Sequence, residues 1–127
     1  FVAGNVLHVH DLVDDVTEEA RLAGMGVAHS LKKNKKKITD TVRLEAGNLL
    51  SYILPQRLDF PLGMESVTLK FRVKKPLENV KIQIRSGMRI LRTLRRPFLL
   101  PSQMEKVKLE AELLFDINEP IVVEVIK

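Results

Sequence analysis

The first third of the chain carries apolar residues at the spacing of one helix face. Within residues 11–31 they recur every three or four positions, at Val16, Ala20, Ala23, Val27 and Leu31. Because an α-helix completes a turn in about 3.6 residues, this spacing places them on one side of a helix. The pattern predicts one amphipathic helix, preceded by a loop.

Two acidic residues are alternative starts for this helix. Asp15 followed by Glu18 matches the acidic form of the capping box, which predicts Asp15 as the N-cap, and Asp14 with Thr17 is a weaker alternative. Small residues crowd the middle of the helix, at Ala20, Ala23, Gly24 and Gly26. Since each glycine costs about 1 kcal/mol relative to alanine in a helix, we expect this face to pack closely against a sheet or a cofactor.

After the lysine run at 32–37 the apolar period changes to two. Regular alternation predicts strands at 41–46, 67–73, 80–85 and 107–113, and less regular patterns predict strands at 49–54, 88–94 and 121–126. Lys75-Pro76 and Ser86-Gly87 predict turns between strands. One helix followed by seven short strands predicts an α+β chain, whose second part is an all-β antiparallel, immunoglobulin-like sandwich.

The composition is that of a globular domain with few aromatic residues. Of the 127 residues, 45% are hydrophobic but only 5% are aromatic, which predicts a core of Val, Ile and Leu. The chain has no cysteine, which excludes disulfides and thiolate chemistry and favours a cytoplasmic location. No run of about 18 apolar residues occurs, so we expect no membrane span.

The net charge of +5 is unevenly distributed along the chain. Residues 1–31 carry a net charge of −4, the run 32–37 (Lys-Lys-Asn-Lys-Lys-Lys) carries +5, and residues 38–127 carry +4. Because the composition changes at the lysine run, we predict a boundary between two parts near residue 37.

The segment Phe1-Val2-Ala3-Gly4-Asn5 has the pattern of a buried strand that ends in glycine. Gly4 permits close backbone approach to a ligand, and the Asn5 amide can donate and accept hydrogen bonds. With the predicted helix start, the backbone N–H groups of Val16 and Thr17 are available to an electron-rich oxygen. Domains seldom open within a strand, which leads us to expect a C-terminal piece of a longer protein.

This segment resembles the last FAD-binding motif of flavoproteins with two dinucleotide-binding domains, in which a strand ends in Gly-Asp and a helix points its N-terminus at the flavin. The string Gly-Asn-Val-Leu-His-Val-His-Asp-Leu-Val-Asp at 4–14 is similar to that of a narrower group, the bacterial NAD(P)/FAD-dependent oxidoreductases of the anaerobic glycerol-3-phosphate dehydrogenase-like type. Residues 52–57, 71–76 and 104–106 resemble the C-terminal extension of the same group.

The resemblance implies a C-terminal fragment of an FAD-dependent oxidoreductase that is inert alone. Residues 1–37 would be the end of the FAD-binding domain, comprising a strand end, a loop, a helix and a Lys-rich linker, and 38–127 a β-sandwich accessory domain. Gly4 and Asn5 would contact the ribityl or phosphate region of FAD, and Val16 and Thr17 would donate backbone N–H groups to the flavin pyrimidine ring. The expected partner of this fragment is the N-terminal part of the same protein, and FAD would be bound only when that part is present.

The sequence departs from the family pattern in two ways, which limit how much of an FAD site this chain can supply. Asn5 stands where the superfamily has Asp, although an amide can still bond a ribityl hydroxyl. The sequence has no Gly-x-Gly-x-x-Gly loop and no redox cysteine pair, so it supplies one wall of an FAD site. The resemblance assigns no catalytic residue.

The string His8-Val9-His10-Asp11 admits three interpretations. Two imidazoles and a carboxylate can bind a divalent metal, and an imidazole can act as a base near neutral pH. We favour a third interpretation, a loop near the flavin in which the imidazoles pack or position substrate, and we predict no metal site. His29, late in the helix, is expected to interact with the helix C-terminus.

The basic residues leave a second function class open. The lysine run and the group Arg92, Arg95 and Arg96 lack the interleaved aromatics that stacking on single strands requires, so we predict a solvated linker and no nucleic acid. The alternative to the oxidoreductase is a non-enzymatic β-sandwich interaction module with a helical N-terminal arm. An unpaired strand at 1–3 would also favour self-association, which makes a homo-oligomer a further expected partner.

Overall fold

The chain divides into two units at the end of the lysine run. In the computed structural model, which describes residues 2–7, 9–31 and 38–127, unit 1 is Phe1–Lys37 and unit 2 is Ile38–Lys127. No helix in the described part of the chain is both long enough and apolar enough to cross a membrane.

The described part of unit 1 contains a short 3₁₀ helix, Gly4–Val6, and the α-helix α1, Val13–Leu31. The helix prediction is confirmed, but its start lies two residues before Asp15, so the prediction of Asp15 as N-cap is wrong. Asp14 and Asp15 lie instead inside the first turn, where their carboxylates still interact favourably with the helix dipole.

The predicted strand end before Gly4 is not formed at residues 2 and 3. Ala3 has an extended backbone, with φ −148° and ψ 165°, but residues 2 and 3 belong to no strand and Val2 is exposed. Extended backbone becomes a strand only when a neighbour supplies ladder hydrogen bonds. Phe1 lies outside the described residues.

Unit 2 consists of eight strands and a short 3₁₀ helix at Ala111–Leu114. The strands are β1 Asp40–Ala46, β2 Leu50–Leu54, β3 Arg57–Phe60, β4 Ser66–Val73, β5 Leu77–Ser86, β6 Arg89–Leu99, β7 Glu105–Glu110 and β8 Ile121–Ile126. They form a five-stranded sheet in the order β3-β1-β8-β5-β6 and a three-stranded sheet in the order β2-β4-β7. The α+β class is therefore correct.

The two sheets share one hydrophobic core. Their alternating inward residues are buried, among them Leu69 and Phe71 of β4, Ile82 and Ile84 of β5, and Val123 of β8. As predicted, the core is built from Val, Ile and Leu; Phe71 is the one aromatic among the buried residues of the described chain.

Three details of the strand prediction are wrong. A short strand, β3, lies between Pro55 and Pro61 where the sequence predicts none. The strand predicted at 107–113 ends at Glu110, since the chain then turns into the 3₁₀ helix and buries Leu114. The pairing is also not all antiparallel: β1 and β8 are parallel, with Leu44 opposite Ile121.

Both predicted turns are confirmed. Gly87 stands between β5 and β6 with a φ of 54°, a left-handed conformation that costs glycine little. Lys75-Pro76 lies between β4 and β5.

Candidate functional site

Gly4, which the resemblance places at the FAD, lies in a tight backbone turn. Gly4 has a φ of 74°, and the N–H of Leu7 donates to its carbonyl at 2.9 Å, which closes the 3₁₀ turn. A Cβ placed on Gly4 would lie 3.8 Å from Cγ1 of Val16. The turn therefore lies at van der Waals distance from α1.

Glu19 joins this turn to the helix. The Gly4 N–H donates to Oε2 of Glu19 at 3.1 Å, and the same oxygen lies 2.9 Å from Nε2 of His10. Glu19 follows Val16 by three residues, so both side chains lie on one face of α1. We call Gly4, His10 and Glu19 the N-terminal cluster.

The N-terminal cluster is shielded from solvent. The side chain of His10 is 2% exposed and that of Glu19 is 13% exposed. A carboxylate this close to one imidazole nitrogen restricts the orientation of the ring, and in catalytic dyads a hydrogen-bonded carboxylate does the same for an imidazole that acts as a base. Because the ring is nearly buried, the geometry fits an interaction that fastens the loop to the helix better than one that presents a base to substrate.

The helix start changes the role available to Val16 and Thr17. In a helix that begins at Val13, their N–H groups point toward the carbonyls one turn earlier in the same helix. The Thr17 hydroxyl also donates to the Val13 carbonyl, at 3.2 Å. The backbone N–H groups of Val13 and Asp14 lie at the very start of the helix, where no carbonyl one turn earlier belongs to the same helix. FAD binding by Val16 and Thr17 stays a prediction.

The charges around the helix start favour a neutral acceptor over an anion. Asp14 and Asp15 lie in the first turn of α1, and Asp11 precedes it. Three carboxylates repel a phosphate, whereas a carbonyl or hydroxyl oxygen can still accept from a backbone N–H.

Several predicted residues are only partly described. Asn5 lies in the 3₁₀ helix, but its side chain, that of His29, and all of His8 and 32–37 lie outside the described parts. Among the described residues no group of three or more His, Cys, Asp or Glu side chains is arranged to hold a metal ion.

The predicted basic group of β6 is divided between two faces. Arg92 donates to the Lys108 carbonyl, and Arg96 Nε lies 3.0 Å from Oε2 of Glu105, so both side chains reach β7. Arg95 is exposed and lies opposite Lys81. The three arginines therefore do not form one patch.

The sequence did not single out Glu19 as a partner of His10. Glu18 and Glu19 are adjacent, and only the rotation of α1 relative to the loop decides which one faces His10. A helical wheel that places Glu19 beside Val16 is the signal that favours it.

Comparison with models of protein families, with curated proteins and with solved structures finds no match for this chain.

Proposed function

We propose that this chain is the C-terminal part of an FAD-dependent oxidoreductase and that unit 1 contributes one wall of its flavin site. The observation that carries the proposal is the left-handed Gly4 turn, which lies against the beginning of α1. A glycine turn beside a helix start lets backbone amides approach a cofactor closely. The resemblance of residues 4–14 to an FAD motif supplies the cofactor's identity.

The residues of the N-terminal cluster fit the ribityl part of FAD better than its phosphates. Glu19 accepts the Gly4 N–H, so a phosphate at Gly4 would meet a carboxylate. A ribityl hydroxyl can instead donate to that carboxylate. We therefore assign Gly4 and Asn5 to the ribityl chain, and the amides of Val13 and Asp14, in place of Val16 and Thr17, to the flavin pyrimidine carbonyl.

Exposed apolar side chains on unit 1 support a place within a larger domain. Val6, Val9, Leu12, Val13 and Leu31 are all exposed. Apolar surface of this kind usually marks a region that packs against another part of the protein or against a ligand. The proposed partner is the preceding part of the same protein.

For unit 2 we propose an accessory role and an immunoglobulin-like class. Two mainly antiparallel sheets over one core support that class. A cytoplasmic location is proposed because the chain has no cysteine.

The test uses the full-length protein and its visible absorption spectrum after gentle purification. We expect bound flavin in the wild type, and about tenfold weaker FAD retention for Gly4→Val, since a β-branched residue is strained at positive φ. Gly63→Ala is the control, because a Cβ at Gly63 meets no atom within 4 Å.

Absence of flavin from the wild type would refute the oxidoreductase proposal. Normal flavin retention in Gly4→Val would refute the assignment of Gly4 while leaving the flavoprotein intact.

A further inference from the structure

A cleft lies where the turn between β5 and β6 meets the segment that precedes β8. Its volume is about 270 Å³, and the residues that line it include Met88, Arg89, Asp116, Ile117 and Glu119. We call it the turn cleft. It lies within unit 2, in which the flavin assignment places no residue.

Hydrogen bonds hold the two walls of the turn cleft together. The hydroxyl of Ser86, which is buried, donates to the Glu119 carbonyl at 2.9 Å, and Nη1 of Arg89 donates to the Phe115 carbonyl at 3.0 Å. The Glu119 carboxylate packs against the backbone of Gly87, where an added Cβ would overlap it. The walls are therefore in place before any ligand arrives, which reduces the entropy lost on binding.

The turn cleft carries an excess of negative charge. The side chains of Asp116 and Glu119 are exposed, and within the described residues neither carboxylate accepts a hydrogen bond or forms an ion pair. Arg89 is the one cation among the lining residues. The local sign is thus opposite to the net charge of +4 that residues 38–127 carry.

Apolar surface adjoins these carboxylates. The side chain of Met88 is completely exposed and that of Phe115 is 71% exposed, whereas Ile117 is buried and lines the cleft. Exposed apolar surface beside polar groups marks interaction sites, and the flexible methionine side chain adapts to different ligands. An aliphatic chain that ends in a cation combines the same two properties.

The size of the turn cleft limits what it can hold. Sites for drug-sized ligands have volumes of about 300–1,000 Å³, and the turn cleft, at about 270 Å³, lies just below that range. Its volume therefore fits one long side chain better than a whole small molecule.

We propose that the turn cleft binds a lysine or arginine side chain of a partner polypeptide. The aliphatic stem would pack on Met88 and Phe115, and the cation would lie beside the carboxylates of Asp116 and Glu119. The remaining N–H groups of Arg89 can donate to a carbonyl of the same peptide. This proposal goes beyond the flavin assignment and does not depend on it.

Two other ligand classes fit the turn cleft less well. An anion would be repelled by the two carboxylates. Ca²⁺ takes about six to eight oxygen ligands, and no group of three or more His, Cys, Asp or Glu side chains in the described part of the chain is arranged to hold a metal ion.

The experiment titrates the peptide acetyl-Leu-Arg-Leu-amide into the ¹⁵N-labelled 127-residue chain and follows the backbone amides by NMR. The control peptide carries citrulline, a neutral analogue of arginine. Because the chain has a net charge of +5, general electrostatic attraction does not favour a cationic peptide, so binding reports a local site.

The test variant is Asp116→Asn with Glu119→Gln, which removes both charges but keeps the shapes of the side chains. Asparagine also tolerates the left-handed backbone at Asp116, where φ is 57°. The matched control is Glu45→Gln with Glu78→Gln, two exposed carboxylates on β1 and β5. Thermal unfolding verifies that both variants are folded.

We expect saturable shifts confined to the amides of residues 86–89 and 115–119. The test variant should bind the arginine peptide about fivefold more weakly, and the control variant should change by less than about twofold. The citrulline peptide should also bind about fivefold more weakly than the arginine peptide.

A second pair of variants tests the apolar contact. Met88→Ser should weaken binding about threefold, because the stem loses apolar contact. Met64→Ser, which changes another exposed methionine in the loop between β3 and β4, should leave binding unchanged.

Four results would overturn the proposal. They are no saturable shifts in the parent, shifts centred outside the turn cleft, equal affinity for the arginine and citrulline peptides, and equal loss of binding in the test and control double variants.

Discussion

Gly47 lies in close contact with the backbone of β8. It follows β1, and its N–H donates to the Val123 carbonyl of β8 at 2.8 Å. A Cβ at this position would lie 2.8 Å from Cβ of Glu124 and 3.0 Å from the Val123 carbonyl oxygen. Backbone atoms cannot move aside as the end of a side chain can, so glycine is required here.

We predict that Gly47→Ala lowers the free energy of unfolding by about 1–3 kcal/mol, because β1 and β8 must separate to admit the methyl group. Urea denaturation followed by circular dichroism measures the effect. The control is Gly63→Ala, whose new methyl group meets no atom within 4 Å and which should be neutral or slightly stabilising. A neutral Gly47→Ala would contradict the close approach described here.

Single residues also show where sequence reasoning reaches its limit. A backbone turn at Gly4 could be expected because glycine adopts a positive φ at little cost, whereas the role of Gly4 in binding FAD stays a prediction. The contact between His10 and Glu19 was not predicted, because the string His8-Val9-His10-Asp11 does not give the rotation of α1 relative to its preceding loop, and the helical wheel of α1 alone favours Glu19 only once Val16 is known to face the loop. The start of α1 was missed because Leu12 is a poor N-cap, so the pattern favoured Asp15.

At the scale of elements, β6 and β7 are edge strands of different sheets and are joined by side chains. Arg96 lies 3.0 Å from Glu105, with side chains 30% and 19% exposed, and Arg92 donates to the Lys108 carbonyl. Edge strands with free backbone groups tend to pair with other chains. The two arginines cover this edge and so reduce that risk.

We predict that the pair Arg96 and Glu105 has a coupling energy of about 1 kcal/mol, because it is half-shielded and well aligned. A double-mutant cycle with Arg96→Gln and Glu105→Gln measures it. The comparison pair is Arg57 and Asp59, 4.0 Å apart with side chains 73% and 38% exposed, for which we expect about 0.3 kcal/mol or less. Equal coupling in both pairs would show that shielding at the β6–β7 edge is unimportant.

Alternation located most strands because one face of each sheet is buried. The four residues of β3 were too few to show it, and the flanking Pro55 and Pro61 indicated a loop instead. Alternation also continued past Glu110 through Ala111 and Leu113, where the Ala111 N–H bonds to the Glu65 carbonyl and the chain leaves the strand. The direction of β8 relative to β1 depends on tertiary packing, which a local pattern does not contain.

At the scale of the whole molecule, unit 2 has a core of its own. Every member of the hydrophobic core belongs to residues 42–125. Burial of apolar surface is the main stabilising contribution to a domain. Unit 2 therefore does not depend on unit 1 for a core.

We predict that residues 38–127 expressed alone unfold in one cooperative transition, with a urea midpoint close to that of the β signal in the complete chain. Circular dichroism at a strand-sensitive wavelength follows the transition. A gradual, non-cooperative loss of signal from the shortened chain would contradict an independent core.

The position of β8 has a consequence for synthesis on the ribosome. It is the last of the described strands along the chain, yet it lies in the middle of the five-stranded sheet, between β1 and β5. Until β8 has left the exit tunnel, the pair β1 and β3 and the hairpin of β5 and β6 lack their common neighbour. Unit 2 must therefore complete its larger sheet after translation has passed Ile126, and a chaperone that protects open strand edges would act in that interval.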